Sequence, residues 1–187
     1  MFKKLNLKTL LIAFGVLLVV VLVLQITNRK ERNFTDRLFD TDTTKLSGFT
    51  FKHRDRPEIH VTRSGIKWIF TENGKTYNAD NIAIGNILKA ISDLKPDHVS
   101  GTDKSDWGKL GVTDTSSGVC RVKLEQKGKQ IADFLVGKFT FEYPQSFISY
   151  VRLNGETEVY AIRNLMPMTF GMTVDQLQKK DSTVKKQ

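Results

Sequence analysis

An apolar run near the N-terminus constrains this chain more than any other feature. Residues 10–24 read LLIAFGVLLVVVLVL without a charged side chain, and the flanking Thr9, Gln25, Ile26 and Thr27 extend the uncharged stretch to 19 residues. A bilayer hydrocarbon core of about 30 Å is crossed by roughly 20 residues of α-helix. The run therefore predicts a single N-terminal transmembrane helix.

A cleaved signal peptide is the competing interpretation of this run. The apolar core of a signal peptide is usually shorter and ends at a small-x-small cleavage site. Here the run continues into residues 25–30 (QITNRK), which contain no such site. We therefore predict an uncleaved signal anchor.

The orientation of the anchor rests on its position, because basic side chains stand on both sides of it. They are Lys3, Lys4 and Lys8 before the run, and Arg29, Lys30, Arg32 and Arg37 after it. The leading segment is very short, which favours an N-terminus that stays inside. We expect a single-pass protein of the bacterial inner (cytoplasmic) membrane whose C-terminal domain is periplasmic or otherwise extracytoplasmic.

Changes in composition along the chain predict its organisation. About 150 residues remain without the anchor, which is the size of one domain. The predicted segments are a short cytoplasmic segment (1–8), the transmembrane signal anchor (9–27), a juxtamembrane tether (28–45), an extracytoplasmic α+β domain (46–172) and a polar C-terminal tail (173–187).

Alternation of apolar and polar residues predicts strands through most of the domain. Turn signals at Asn73–Gly74, Lys127–Gly128 and Asn154–Gly155 divide these strands into hairpins. The pattern accounts for about seven strands, near residues 49–52, 59–63, 65–70, 119–126, 131–136, 147–153 and 158–162.

One segment has helical spacing instead. Apolar residues between Ile84 and Leu94 recur three and four positions apart, after Asn78 or Asp80 as N-cap and before Pro96 as a stop. Residues 97–118 are interpreted as a polar connection. The predicted fold class is α+β, a mostly antiparallel sheet of about seven strands with one principal packed helix, preceded by the transmembrane helix.

Charge and cysteine content exclude several functional classes. The formal net charge is +9, but no basic stretch is interleaved with aromatic residues, so we expect no nucleic-acid partner. The single cysteine, Cys120, excludes a disulfide framework. It alternates with Val122 and Leu124 in a strand pattern, which favours a small buried hydrophobe over a nucleophile.

Motifs that would name a reaction are missing from the sequence. There is no G-x-G-x-x-G or Walker loop and no G-x-S-x-G elbow. His53 and His60 have no second ligand at metal-binding spacing, and His98 is likewise interpreted as structural or exposed. We therefore expect no catalytic residue, no cofactor, no metal and no enzymatic activity.

Aromatic residues are the more promising feature. The chain has 12 phenylalanines, and residues 139–150 read FTFEYPQSFISY. Aromatic side chains are efficient interface anchors. The residues that we expect to face a partner are Phe139, Phe141, Tyr143, Phe147 and Trp107.

Several short motifs follow one another along the domain: WIF at 68–70, YNAD at 77–80, WGKLGV at 107–112, LVG at 135–137, YVRL at 150–153 and VYAI at 159–162. Their order resembles the bacterial family catalogued as domain of unknown function 4340, over roughly residues 46–170. The segment at 107–112 is similar to a family "yGL" motif, although Leu110 here precedes Gly111. The resemblance implies a membrane-anchored protein encoded beside ABC-type transporter components, and it supplies no catalytic residue.

These observations favour a membrane-anchored extracytoplasmic accessory domain that binds a transporter or another envelope protein. The alternative is a domain that binds or senses a small ligand, such as a lipid or glycan fragment, and a third hypothesis is a hydrolase. A flat aromatic patch would favour the first function, a deep pocket the second, and a His/Asp/Ser or cysteine cluster in a cleft the third.

Overall fold

The computed structural model describes residues 13–21, 37–39, 41–143 and 146–179. The chain divides into two compact units, Met1–Thr35 and Asp36–Gln187. In the first unit, residues 13–21 form a helix (α1) whose side chains, including Phe14 and Leu17, are exposed.

The predicted transmembrane helix over residues 9–27 is wrong for the described part of the chain, where no helix is long and apolar enough to cross a membrane. The predicted cytoplasmic segment 1–8, both ends of the predicted anchor and residues 28–36 of the predicted tether lie outside the described residues.

A single nine-stranded sheet dominates the second unit, and its neighbouring strands are all antiparallel. Its strands are β1 (Gly48–His53), β2 (Ile59–Ser64), β3 (Lys67–Glu72), β4 (Lys75–Asn78), β5 (Pro96–Gly101), β6 (Cys120–Gln126), β7 (Lys129–Glu142), β8 (Ser146–Leu153) and β9 (Val159–Ile162). The spatial order is β4-β3-β2-β1-β6-β7-β8-β9-β5. Two four-stranded meanders therefore meet where β1 pairs with β6.

The predicted count of about seven strands is wrong, because the two edge strands were missed. β4 has four residues, none of them buried. β5 begins at Pro96 and pairs with β9 through two register shifts. Edge strands face water along one side and carry short, polar or proline-containing sequences, so they give no clear alternation of apolar residues.

Several short helices accompany the predicted principal helix, which is therefore not the single helix of the domain. They are α2 (Asn81–Ser92), α3 (Lys104–Leu110), α4 (Met166–Phe170) and α5 (Val174–Leu177), with a 3-10 turn at Thr43–Lys45. The predicted helix exists as α2, which Asp80 caps by accepting hydrogen bonds from the backbone N–H groups of Ile82 and Ala83. The others span about two turns or less, which is too short for a 3.6-residue period to emerge.

The hydrophobic core lies between one face of the sheet and helices α2, α4 and α5. Ile84, Ile87 and Ile91 of α2 are buried in the same cluster as side chains from the central strands. Phe39, in the predicted tether, and Leu177, in the predicted tail, also belong to this cluster or pack against it. The segments on either side of the predicted domain therefore contribute to its core.

Candidate functional site

Strands β7 and β8 continue past the rest of the sheet as a two-stranded ribbon. The pairing of β6 with β7 ends at Cys120 opposite Val136. The pairing of β8 with β9 ends at Ser149 opposite Ile162. Residues 139–142 of β7 still pair with residues 146–149 of β8. We call these two paired segments, together with Tyr143, the aromatic ribbon.

A bulge at the base of the ribbon decides which way its side chains point. Val136 lies opposite Val151, and Phe139 lies opposite Ser149. Three steps along β7 therefore match two steps along β8, so β7 carries one extra residue. Side chains normally alternate between faces, and the extra residue returns Phe139 to the face on which Val136 enters the core.

Three phenylalanines form a ring cluster on that face. The Phe147 ring centroid lies 6.1 Å from that of Phe139 and 5.3 Å from that of Phe141, both in edge-to-face geometry. These rings contact one another but remain 50% (Phe139), 55% (Phe141) and 41% (Phe147) exposed. Tyr143 beside them is 93% exposed.

The helical layer ends where the aromatic ribbon begins. The Ser149 hydroxyl accepts a hydrogen bond from the backbone N–H of Met166, the first residue of α4, and donates one to the carbonyl of Asn164. Met166 and Val151 both belong to the core. The exposed rings therefore continue the apolar face of the sheet beyond its helical cover.

An arginine holds the ribbon to the edge strand β5. Arg163 donates to both oxygens of Asp97, over 2.7 and 3.0 Å, and to the hydroxyl of Ser146 over 3.1 Å. The hydrogen bonds from Arg163 are the main reason that the pKa of the Asp97 carboxyl lies below its usual value. Planar bidentate contacts of this kind fix orientation, so the outer end of the ribbon, where Ser146 lies opposite Glu142, is well positioned.

Trp107 does not join the aromatic cluster. The Arg152 guanidinium lies 3.8 Å from the centre of the Trp107 ring, and Trp107 Nε1 donates to the carbonyl of Thr157. Arg152 neighbours Val151 of the main core along β8 and points to the opposite face of the sheet. Of the residues predicted to face a partner, the structure thus brings together Phe139, Phe141 and Phe147 and separates Trp107 from them.

The Trp107–Arg152 pair closes a second packed layer under α3. Arg152 is buried and donates to the carbonyls of Val112 and Glu156. Burial lowers the pKa of its guanidinium, and the ring face of Trp107 stabilises the charge. The motif segments at 107–112, 135–137 and 150–153 meet in this layer. Three of the motifs on which the family resemblance rests therefore pack against one another.

A hydrogen-bonded relay of three polar residues lies on β5. His98 Nδ1 is 3.0 Å from Asp97, and the Ser100 hydroxyl is 3.1 Å from His98 Nε2. The distances are those of a Ser-His-Asp triad. However, the side chains of Asp97 and His98 are 30% and 49% exposed. A nucleophilic serine depends on a water-excluded site with preorganised donors, and this relay lies on an exposed sheet edge.

We expect Ser100 to be unreactive. Incubation of the protein with a fluorophosphonate probe at pH 8 should leave Ser100 unlabelled, because water competes for each group of the relay. Intact-mass and peptide mass spectrometry measure the adduct, with an authentic serine hydrolase as the positive control. Stoichiometric labelling of Ser100 that disappears in His98→Gln would contradict this expectation.

The single cysteine has the predicted environment. Cys120 is buried, and burial raises the pKa of its thiol to about 12. The thiol therefore stays protonated at neutral pH, as expected for a small core residue. Among the described residues, no group of three or more His, Cys, Asp or Glu side chains is arranged to hold a metal ion.

Comparison with known families explains the order of the motifs. The family model described as "Domain of unknown function (DUF4340)" matches residues 68–184, more than half of the chain. The chain belongs to this family. No curated protein and no solved structure matches it.

The DUF4340 match begins at Trp68 in β3 and runs through α5. It contains the aromatic ribbon, the Trp107–Arg152 layer and helix α2. Strands β1 and β2 precede the match, although β1 pairs with β6 near the middle of the sheet. The DUF4340 region of this protein therefore completes its sheet with strands from outside the matched segment.

Proposed function

We propose that this DUF4340 protein is a non-enzymatic interaction domain that binds a partner protein through the aromatic ribbon. One observation carries the proposal. Phe139, Phe141 and Phe147 form a contiguous ring cluster on the core face of the sheet, and no described helix covers them. Contiguous exposed apolar patches mark interaction sites, and aromatic residues are enriched at the centres of interfaces.

The backbone of the aromatic ribbon supports a partner segment in extended conformation. Within the described part of the chain, residues 139–142 pair with β8 alone, which leaves the outer edge of β7 without a neighbouring strand. A free edge beside an apolar face suits addition of a strand: main-chain hydrogen bonds provide affinity, and alternate side chains provide specificity. The partner would present apolar side chains at alternate positions.

The class of partner comes from the sequence and the family resemblance. A component of an ABC-type transporter or of another bacterial envelope complex is the expectation, and the basic composition of the chain does not conflict with it. The alternative function is binding or sensing of a small ligand, such as a lipid or glycan fragment.

The experiment is in-cell crosslinking and co-purification of the full-length protein and of the double variant Phe139→Ser/Phe141→Ser. Interface hot spots contribute about 2 kcal/mol each, and 1.4 kcal/mol is tenfold in affinity. We therefore expect capture of a stoichiometric partner protein to fall at least tenfold. Both positions are exposed, so near-UV circular dichroism should report an intact fold.

Ile66→Ser is the matched control, because Ile66 is 91% exposed in the turn between β2 and β3, outside the ribbon. Its capture should equal that of the unmodified protein. Equal capture by all three proteins would overturn the proposal. The proposal would also fail if the species whose capture depends on the ribbon were a second copy of this chain, as judged by light scattering. It would fail equally if that species were lipid alone, as judged by vesicle flotation.

A further inference from the structure

A basic cavity of 360 Å³ lies where the turn after β1 meets the loop before β6 and the end of α4. Its lining includes His53, Arg54, Asp55, Arg56, Gly118 and Gly171. We call it the arginine pocket. It contains none of the residues of the aromatic ribbon and none of the Trp107–Arg152 layer.

Two guanidinium groups of the arginine pocket are anchored to neutral oxygens. Arg54 Nη1 donates to the carbonyl of Thr115 over 2.6 Å, and Arg56 Nη1 donates to the carbonyl of Gly171 over 3.0 Å. A carbonyl fixes a guanidinium in place without cancelling its charge. Each guanidinium has five N–H donors, so most of these donors remain available to a ligand.

Acidic side chains neutralise little of the positive charge of the two arginines in the pocket. Asp55 approaches Arg54 at 3.6 Å, but its side chain is 76% exposed. Among the described residues, Arg56 has no carboxylate within ion-pair distance. The lining therefore carries a net positive charge.

His53 completes one wall of the pocket. Its Nε2 donates to the carbonyl of Phe170 over 2.9 Å, which orients the ring and leaves Nδ1 free of that bond. Burial, and then the positive charge of Arg56, lower the pKa of this imidazole. The wall is consequently a neutral, oriented group beside two fixed cations.

We infer that the arginine pocket binds the phosphate group of a small phosphorylated ligand. Guanidinium forks match phosphate oxygens in geometry, and two of them balance a dianion. Their anchoring to Thr115 and Gly171 reduces the ordering cost of binding. The volume exceeds that of a phosphate ion, which leaves room for the group to which the phosphate is attached. A soluble phosphate ester and a phospholipid headgroup share this chemistry.

The test is calorimetric titration of the full-length protein with inorganic phosphate at constant ionic strength. We expect saturable binding that weakens at least tenfold in Arg54→Gln/Arg56→Gln. Arg63→Gln is the matched control, because Arg63 is also held by backbone carbonyls, those of Thr44 and Gly65, but lies outside the pocket. Its phosphate affinity should equal that of the unmodified protein.

A variant that is expected to bind phosphate more tightly distinguishes loss of the site from misfolding of the protein. Asp55→Asn removes the acidic side chain of the pocket and should tighten phosphate binding about twofold, a result that an unfolded protein cannot produce. Binding that is undetectable, or equally strong in the double variant and in Arg63→Gln, would overturn the inference.

A second arm identifies the source of the phosphate. Flotation with phosphatidic acid vesicles, with phosphatidylcholine vesicles as background, is measured with and without competing inorganic phosphate. If the protein floats with phosphatidic acid vesicles, if inorganic phosphate prevents this flotation and if Arg54→Gln/Arg56→Gln abolishes it, the pocket is assigned to a lipid headgroup. Phosphate binding without such flotation assigns it to a soluble ester.

Discussion

Replacement of Phe134 by alanine is expected to lower the free energy of unfolding by about 3–5 kcal/mol. Phe134 on β7 is fully buried, and its ring lies 5.2 Å from that of Phe39 and 6.0 Å from that of Phe170, between ring centroids. It therefore connects the sheet both to α4 and to the segment that enters the domain. Truncation removes apolar burial and leaves a cavity that these neighbours can fill only in part.

Urea denaturation of the full-length protein, followed by fluorescence, measures this loss. Phe139→Ala is the matched control, because it removes the same atoms from the same strand at a position that is half exposed. Surface substitutions usually change stability by about 0.5 kcal/mol or less. Equal losses for the two variants would contradict the assignment of Phe134 to the core and Phe139 to an open surface.

Replacement of Gly137 by alanine is expected to cost about 2–3 kcal/mol, since forced overpacking of a tight contact has that magnitude. A Cβ atom on Gly137 would lie 2.6 Å from the carbonyl oxygen of Leu110, 2.7 Å from Val112 Cγ1 and 2.8 Å from the carbonyl carbon of Gly111. Two of these neighbours are backbone atoms at the end of α3, so no side-chain rotation relieves the contact.

Gly137 also lies in the bulge that turns Phe139 and Phe141 toward the core face. We therefore expect Gly137→Ala to reduce partner capture by the aromatic ribbon as well as stability. Gly85→Ala is the control, because Gly85 lies within α2 and a Cβ there meets no atom within 4 Å. That change should stabilise the protein by roughly 0.8 kcal/mol through helix propensity. Destabilisation by both changes would contradict the steric explanation for Gly137.

Local patterns accounted for much of the second unit. Asn73 and Lys127 have positive φ at the predicted hairpin turns, and α2 begins at the predicted cap and ends before Pro96. These features depend on residues close in the chain, so propensity and periodicity reveal them. The edge strands β4 and β5 and the short helices α3 and α5 depend on long-range pairing and packing, and their sequences carried no readable period.

The predicted anchor illustrates the limit of a composition argument. The apolar run was long enough to predict a span, but within the described part of the chain no helix is long and apolar enough to cross a membrane.

Sequence alone determined the aromatic content of residues 139–150, the hairpin turns, the amphipathic helix and the short motifs shared with DUF4340. Each of these features depends only on residues that are close together in the chain. Only the tertiary structure decided that a bulge at Gly137 aligns three phenylalanines on one face while Trp107 stacks on Arg152 beneath the other. It also decided that Arg54 and Arg56 are fixed by carbonyls more than 50 residues away in the chain. The physical reason is that register, face and anchoring are set by contacts between distant segments.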